Sequence, residues 1–174
     1  MSIENGLKTV KTLFDGSKKF KIPEYQRPYA WGEKQLEEFF YDFYYQASEQ
    51  KYFYGTILLN ESGDGDEDFD TLDIVDGQQR LTTLIIFISI LIKTIEKANP
   101  NFNSSLKRDI YLKYHGIYKL VQNSLDNDFF QTYVLGDDNG EKLITTSSQS
   151  RLWFAKSHLL HLIEKEALST TRLE

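Results

Sequence analysis

The sequence predicts an α+β fold, a small mixed sheet packed with helices, followed by a mostly helical C-terminal part. Three observations carry that prediction. Short runs rich in aromatic and β-branched residues occur at 20–23, 52–59 and 72–75. Between and after them, apolar residues recur at helical spacing over 33–50 and 81–98. Beyond residue 98 the strand-like runs shrink to 118–121, while another helical face occupies 149–167.

In order along the chain, residues 2–13 read as a short amphipathic helix with Ile3, Leu7 and Val10 in step. Residues 20–23 make a short strand that ends in a loop. After Gly32, the positions Leu36, Phe39, Phe40, Phe43 and Tyr44 define one apolar helix face over 33–50. The aromatic run 52–59 is a strand, and 61–70 a polar, mobile loop. Its Asp64-Gly65-Asp66-Glu67-Asp68 spacing hints at a calcium loop, but Phe69 and Val75 stand where such a loop needs Gly and Glu. A solvated hairpin tip is the better reading. Residues 72–75 form the next strand, and 81–98 a helix apolar nearly all round, hence central. Asn99-Pro100-Asn101 stops it. There follow a helix near 105–114, the strand 118–121, a helix over 126–135, a turn at 136–139, and a helix over 149–167. The last carries Leu152, Ala155, Leu159, Leu162 and Ile163 on one face. The chain therefore divides into a core, 1–98, and a helical extension, 99–170, with 171–174 a possible cloning tail. The closing Leu173-Glu174 suggests a piece cut from something longer, and no internal repeat is visible.

Composition narrows the chemistry. Thirteen of the 25 aromatics lie between Phe20 and Tyr54, so the N-terminal third builds much of the core or lines a pocket. The absence of cysteine excludes disulfides, thiolate catalysis and Cys-ligated zinc. The N-terminus lacks a signal-peptide layout, and the longest apolar run is too short to span a bilayer, so a cytoplasmic protein without a membrane partner is expected. Of the net charge of −6, residues 61–76 hold eight acids and no base, which leaves 20 basic against 18 acidic residues elsewhere. That remainder neither bars nucleic acid nor argues for it.

Two loops carry the functional signal. Asp76-Gly77-Gln78-Gln79-Arg80 stands between a strand and an apolar helix. A helix start offers free N–H groups and a positive dipole end to an anion. Arg80 adds a planar charged fork suited to phosphate. The bland alternative is a turn in which Asp76 caps the helix and Arg80 is solvated. An arginine in the first turn works against its own helix unless an anion is bound, which favours a ligand. The second loop, Ile22-Pro23-Glu24-Tyr25-Gln26-Arg27-Pro28-Tyr29-Ala30-Trp31, fixes aromatics beside an arginine with two prolines. That suits a stacking base and a phosphate. It equally suits an aromatic corner on the core with Arg27 paired to a carboxylate. His158 and His161 lie at i, i+3 without a third ligand nearby in sequence, and His115 beside Gly116 reads as a turn residue. No Walker loop, nucleophile elbow, zinc-hydrolase or His-Asn-His nuclease signature is present.

Taken together, residues 22–31 and Val75-Asp76-Gly77-Gln78-Gln79-Arg80-Leu81-Thr82-Thr83-Leu84 resemble the N-terminal domain of GmrSD-type restriction endonucleases, which attack modified foreign DNA. The strand at 52–59 fits the same family. Lys119-Leu120 and 126–130 fit more loosely, so the likeness is strong over about 20–90 and diffuse beyond. The resemblance implies a ParB/sulfiredoxin-like core, although a chain without cysteine cannot do sulfiredoxin-like redox chemistry. It implies nucleoside triphosphate binding and hydrolysis with Mg²⁺, in a phage-defence system whose His-Asn-His nuclease lies in a C-terminal domain absent from this chain, so no nuclease activity is expected here. It places Asp76, Gly77, Gln78, Gln79 and Arg80 at the nucleotide, with Gln26 and Arg27 as the opposite wall and Tyr29 and Thr82 among the contacts. In physical terms Arg80 and Arg27 would neutralise phosphoryl charge, Gln78 or Gln79 would orient water, and Asp76 would hold Mg²⁺ or act as base. Tyr25, Tyr29 or Trp31 would stack on the base. The alternatives are a non-catalytic sensor of modified DNA and a structural interaction domain in which Arg80 pairs with a local acid.

Overall fold

A computed structural model describes residues 6–46, 52–62, 68–136 and 142–166. The chain runs α1 (Val10–Phe14), β1 (Lys18–Lys21), α2 (Glu33–Tyr44), β2 (Leu58–Glu61), β3 (Asp70–Asp76) and α3 (Gln78–Ala98). It continues through α4 (Ser104–Tyr111), β4 (Lys113–Tyr114), β5 (Ile117–Tyr118), β6 (Leu120–Val121), the single turn α5 (Asn127–Phe129), a π-helical turn (Phe130–Leu135) and α6 (Ser147–Lys165). The result is a mixed α+β fold, as expected. Its sheet has the order β2-β3-β1-β6, with β1 parallel to both β3 and β6, and β2 antiparallel to β3. Phe20 pairs across to Leu72 on one side and Leu120 on the other. Since β6 completes the sheet, the segment beyond residue 98 is part of the same core.

That core forms because each element brings one apolar face to the same place. Phe20, Ile74 and Leu120 of the sheet join Leu36 and Phe40 of α2 and Leu81, Leu84, Ile85, Ile86 and Phe87 of α3 in one cluster. Leu152, Ala155, Leu159, Leu162 and Ile163 of α6 are all buried there, on the face their spacing defines. As anticipated, α3 is buried nearly all round through its first half.

Several boundaries differ, each for a local reason. Leu7 is 91% exposed, and the first helix begins only at Val10, where the Thr9 hydroxyl accepts from Thr12 N at 3.1 Å. In the expected strand 52–59 only Leu58 onward pairs with β3; residues 52–57 are irregular, with Gly55 at φ 113°. Its aromatics pack instead of pairing: the rings of Tyr54 and Phe39 lie 5.6 Å apart. The helix near 105–114 stops at Tyr111, because His115 (φ 48°) and Gly116 (φ 83°) turn β4 into β5 as a hairpin. The helix expected over 126–135 is mostly π-helical, closed by Gly136 N donating to Gln131 O at 2.9 Å. The first residues of the helix placed at 2–13 (2–5, with Ile3), the calcium-like run 64–67, the turn beyond Gly136, the ends of the helices placed at 33–50 and 149–167, and the terminal 171–174 lie outside the described residues.

One buried cation ties the layers together. Lys119 is 1% exposed, and its ammonium donates to the carbonyls of Phe14 (2.5 Å), Gly16 (2.9 Å) and Ile110 (3.0 Å). It thereby closes α1, the turn into β1 and α4 around a single point. Lys119→Met keeps the apolar length but leaves three carbonyls without their charged donor. It is expected to cost about 3 kcal/mol, read as a lower urea midpoint at unchanged slope. A variant as stable as wild type would remove Lys119 from this role.

Candidate functional site

Because β1, β3 and β6 are mutually parallel, their carboxyl ends share one edge of the sheet. The crevice outside such an edge is where open α/β sheets hold ligands. Residues 22–31 leave β1 there, Gly77–Arg80 leave β3, and 122–126 leave β6; residues 52–57 enter at the same end, since Leu58 pairs with Asp76.

The junction of β3 and α3 depends on Gly77. It sits at φ 90°, ψ 9°, and a Cβ there would lie 3.0 Å from Thr56 O and 3.2 Å from Ile57 Cα. Only glycine combines that dihedral with that approach. The first helical bond is Leu81 N to Gly77 O at 3.0 Å. Gly77, not Asp76, is the cap residue, and no side chain caps this end of α3. The helix thus begins three residues earlier than the sequence suggested, with Gln78, Gln79 and Arg80 as its first turn.

The two glutamines are buried, each 6% exposed, and turn to the neighbouring loop. Gln79 accepts from Ala30 N at 2.7 Å and donates to Pro28 O at 3.2 Å. Gln78 donates to Arg27 O at 3.3 Å. In return, Gln26 donates to Val75 O at 2.9 Å. Tyr29, 4% exposed, meets the Thr83 hydroxyl at 2.8 Å, and Thr83 donates to Gln79 O at 2.9 Å. The two motifs predicted to face each other are brought together, by bonds between their own side chains and backbones.

The charged residues point elsewhere. Arg80 is exposed, its side chain lying across Gly55, where a Cβ would come within 3.1 Å of Nε. One guanidinium nitrogen reaches Thr56 O at 3.4 Å, and Tyr54 donates to Arg80 O at 2.7 Å. Among the described residues no carboxylate pairs with Arg80; of the local acids invoked by the structural alternative, Asp64, Asp66 and Glu67 lie outside those residues. Arg27, Asp76 and Tyr25 are exposed, Tyr25 by 76%. Trp31 is partly buried beside Phe39. Thr82 is 1% exposed and accepts from Gln122 at 3.2 Å. Burial pushes the Tyr29 and Tyr54 phenols well above the ordinary tyrosine range, so both remain neutral donors.

The third loop escaped sequence reasoning. Ser124 N donates to Glu24 at 2.7 Å, linking it to the β1 loop. Asp126, 2% exposed, accepts from Thr146 at 3.0 Å and Asn123 at 3.4 Å, and Gln149 donates to Leu125 O at 2.9 Å. Arg151 of α6 reaches Ala30 O at 2.5 Å. The available signal was the polar run Gln122-Asn123-Ser124-Leu125-Asp126 directly after an apolar pair. No helix among the described residues is long and apolar enough to cross a membrane.

In comparison with known families, the model of the GmrSD restriction endonuclease N-terminal domain matches residues 10–172. It reaches well past the 20–90 region in which the motifs are legible. No curated protein sequence matches the chain.

Proposed function

The chain belongs to the family of GmrSD restriction endonuclease N-terminal domains, and from that premise we propose that this restriction-system module binds and hydrolyses a nucleoside triphosphate at the carboxyl ends of β1, β3 and β6. The observation that carries the reading is the start of α3: a helix end that no side chain caps, with an exposed arginine in its first turn and a second exposed arginine in the loop pinned beside it. Helix N–H groups and two guanidinium groups suit a polyphosphate.

In the proposed reaction, water attacks the γ-phosphorus and the bond to the β-phosphate oxygen breaks, releasing inorganic phosphate and a nucleoside diphosphate. Arg80 and Arg27 neutralise the charge spread over the transferred group. Gly77 lets the backbone come close. Gln78 and Gln79 act through the wall they hold, because their amides are already engaged with residues 27–30. Tyr25 is the exposed aromatic of the loop and the one available to stack on a base. Tyr29 and Thr82 support the site from inside. Mg²⁺, when bound, supplies further charge neutralisation between phosphates, and the exposed Asp76 carboxylate beside the helix start is the donor suited to hold it. Hydrolysis would regulate or power a nuclease domain in the intact protein, acting on modified DNA.

With Mg²⁺ and a cognate triphosphate, wild type is expected to melt several degrees higher and to release phosphate. Arg80→Ala should lose both effects while keeping its ligand-free melting temperature. A screen of all four triphosphates in which nothing shifts and no phosphate appears would overturn the reading. The exposed Tyr25–Arg27 pair also suits a flipped base, so tight, salt-dependent binding of modified DNA without any nucleotide response would favour the sensor instead.

A further inference from the structure

Away from the strand ends, α2 and α6 pack face to face and bring together three groups that the sequence keeps apart. Glu33 and Glu37 stand one turn apart on α2, and His158 projects from α6; one donor atom from each lies within 4.8 Å of the others. His158 Nε2 is a buried nitrogen without a hydrogen-bond partner, its nearest carboxylate being Glu37 Oε1 at 3.7 Å, beyond hydrogen-bond reach. The Phe154 ring stacks on the imidazole at 5.2 Å and 17°, fixing its plane. Two carboxylates at i, i+4 repel one another. Among the described residues neither pairs with a lysine or arginine, since Lys34 lies instead with Glu38 at 3.9 Å. A converging pair of negative charges facing an unsatisfied imidazole nitrogen lacks one thing, a cation.

We infer that Glu33, Glu37 and His158 form a binding site for a divalent transition-metal ion of the zinc class. One imidazole with two carboxylates selects such an ion over Mg²⁺ or Ca²⁺, which prefer oxygen alone. Ligand atoms about 2.0–2.2 Å from a tetrahedral metal lie a little over 3 Å apart. The 3.7 Å contact needs almost no closure, and the exposed, flexible Glu33 carboxylate supplies the rest. Three protein ligands leave the fourth position to water. His161, one turn on and exposed, is not part of the cluster. The ion straps α2 to α6. Glu33 follows Trp31 by two residues, and α6 also holds Ala30 through Arg151, so the strap lies at the base of the pinned loop.

The site is independent of the nucleotide reading and is tested without nucleotide. Tag-free protein is titrated with zinc chloride by calorimetry, with magnesium chloride as comparison. The expected result is one Zn²⁺ per chain, a raised melting temperature, and no response to Mg²⁺. His158→Gln and the half-buried Glu37→Gln should each weaken binding by roughly a hundredfold, the upper end of what losing a supporting group costs. Circular dichroism shows that each variant is folded. His161→Gln should bind as wild type. Absence of zinc binding, or binding that survives His158→Gln and Glu37→Gln, would overturn the inference. So would equal loss in His161→Gln, which would mark generic attraction to surface histidines.

Discussion

Gly77→Ala is expected to destabilise the protein by about 3 kcal/mol and to abolish any nucleotide-dependent stabilisation. Two costs add. A left-handed dihedral costs a side-chain-bearing residue roughly 1–2 kcal/mol. The added methyl also meets backbone rather than a yielding side chain, at 3.0 Å from Thr56 O and 3.2 Å from Ile57 Cα. The segment entering β2 must then retreat, taking Thr56 O from Arg80. Gly16 supplies the control, with φ 74° and nothing within 4 Å of its added Cβ. Gly16→Ala should show the dihedral cost alone. If urea unfolding gives equal losses for the two substitutions, close approach of residues 56–57 is not what requires glycine at position 77.

Gln79→Glu is expected to be nearly as damaging at neutral pH, and to recover in acid. The substitution preserves shape and the acceptor for Ala30 N. It replaces the donor that serves Pro28 O, at 3.2 Å, with a second oxygen. Ionised, the buried carboxylate faces a carbonyl, a loss of about 2–3 kcal/mol. Protonated, it donates to that carbonyl as glutamine does. The folded state therefore raises the pKa of the introduced carboxyl. Its native-like stability is present below the unfolded value and lost as pH rises through the folded one. The gap between variant and wild type should narrow steadily as pH falls toward 4. A pH-independent gap would mean that the amide does not hold the loop as described.

Both predictions concern residues whose chemistry the sequence made visible but whose partners it hid. Helical faces were readable because period 3.6 is a local property, and Leu152 through Ile163 landed where their spacing put them. The aromatic run 52–59 misled because composition reports burial, not pairing, and Gly55 breaks the ladder it imitates. Adjacent glutamines in a first helical turn look like ligand-facing groups. Their use as braces depends on carbonyls about 50 residues earlier, which no local pattern encodes. The 122–126 loop was hidden for a similar reason: a two-residue strand, β6, gives too short a signal to mark the edge it completes.

The exchange of amide bonds between Gln26, Gln78 and Gln79 has a consequence for inheritance and engineering. Each motif hydrogen-bonds the other's backbone, so neither has its shape alone. They are one part written in two places. A graft of the β3–α3 junction into another scaffold will carry its residues but not its form unless 26–30 travels with it. A swap of either stretch between distant relatives should fail where the paired swap succeeds.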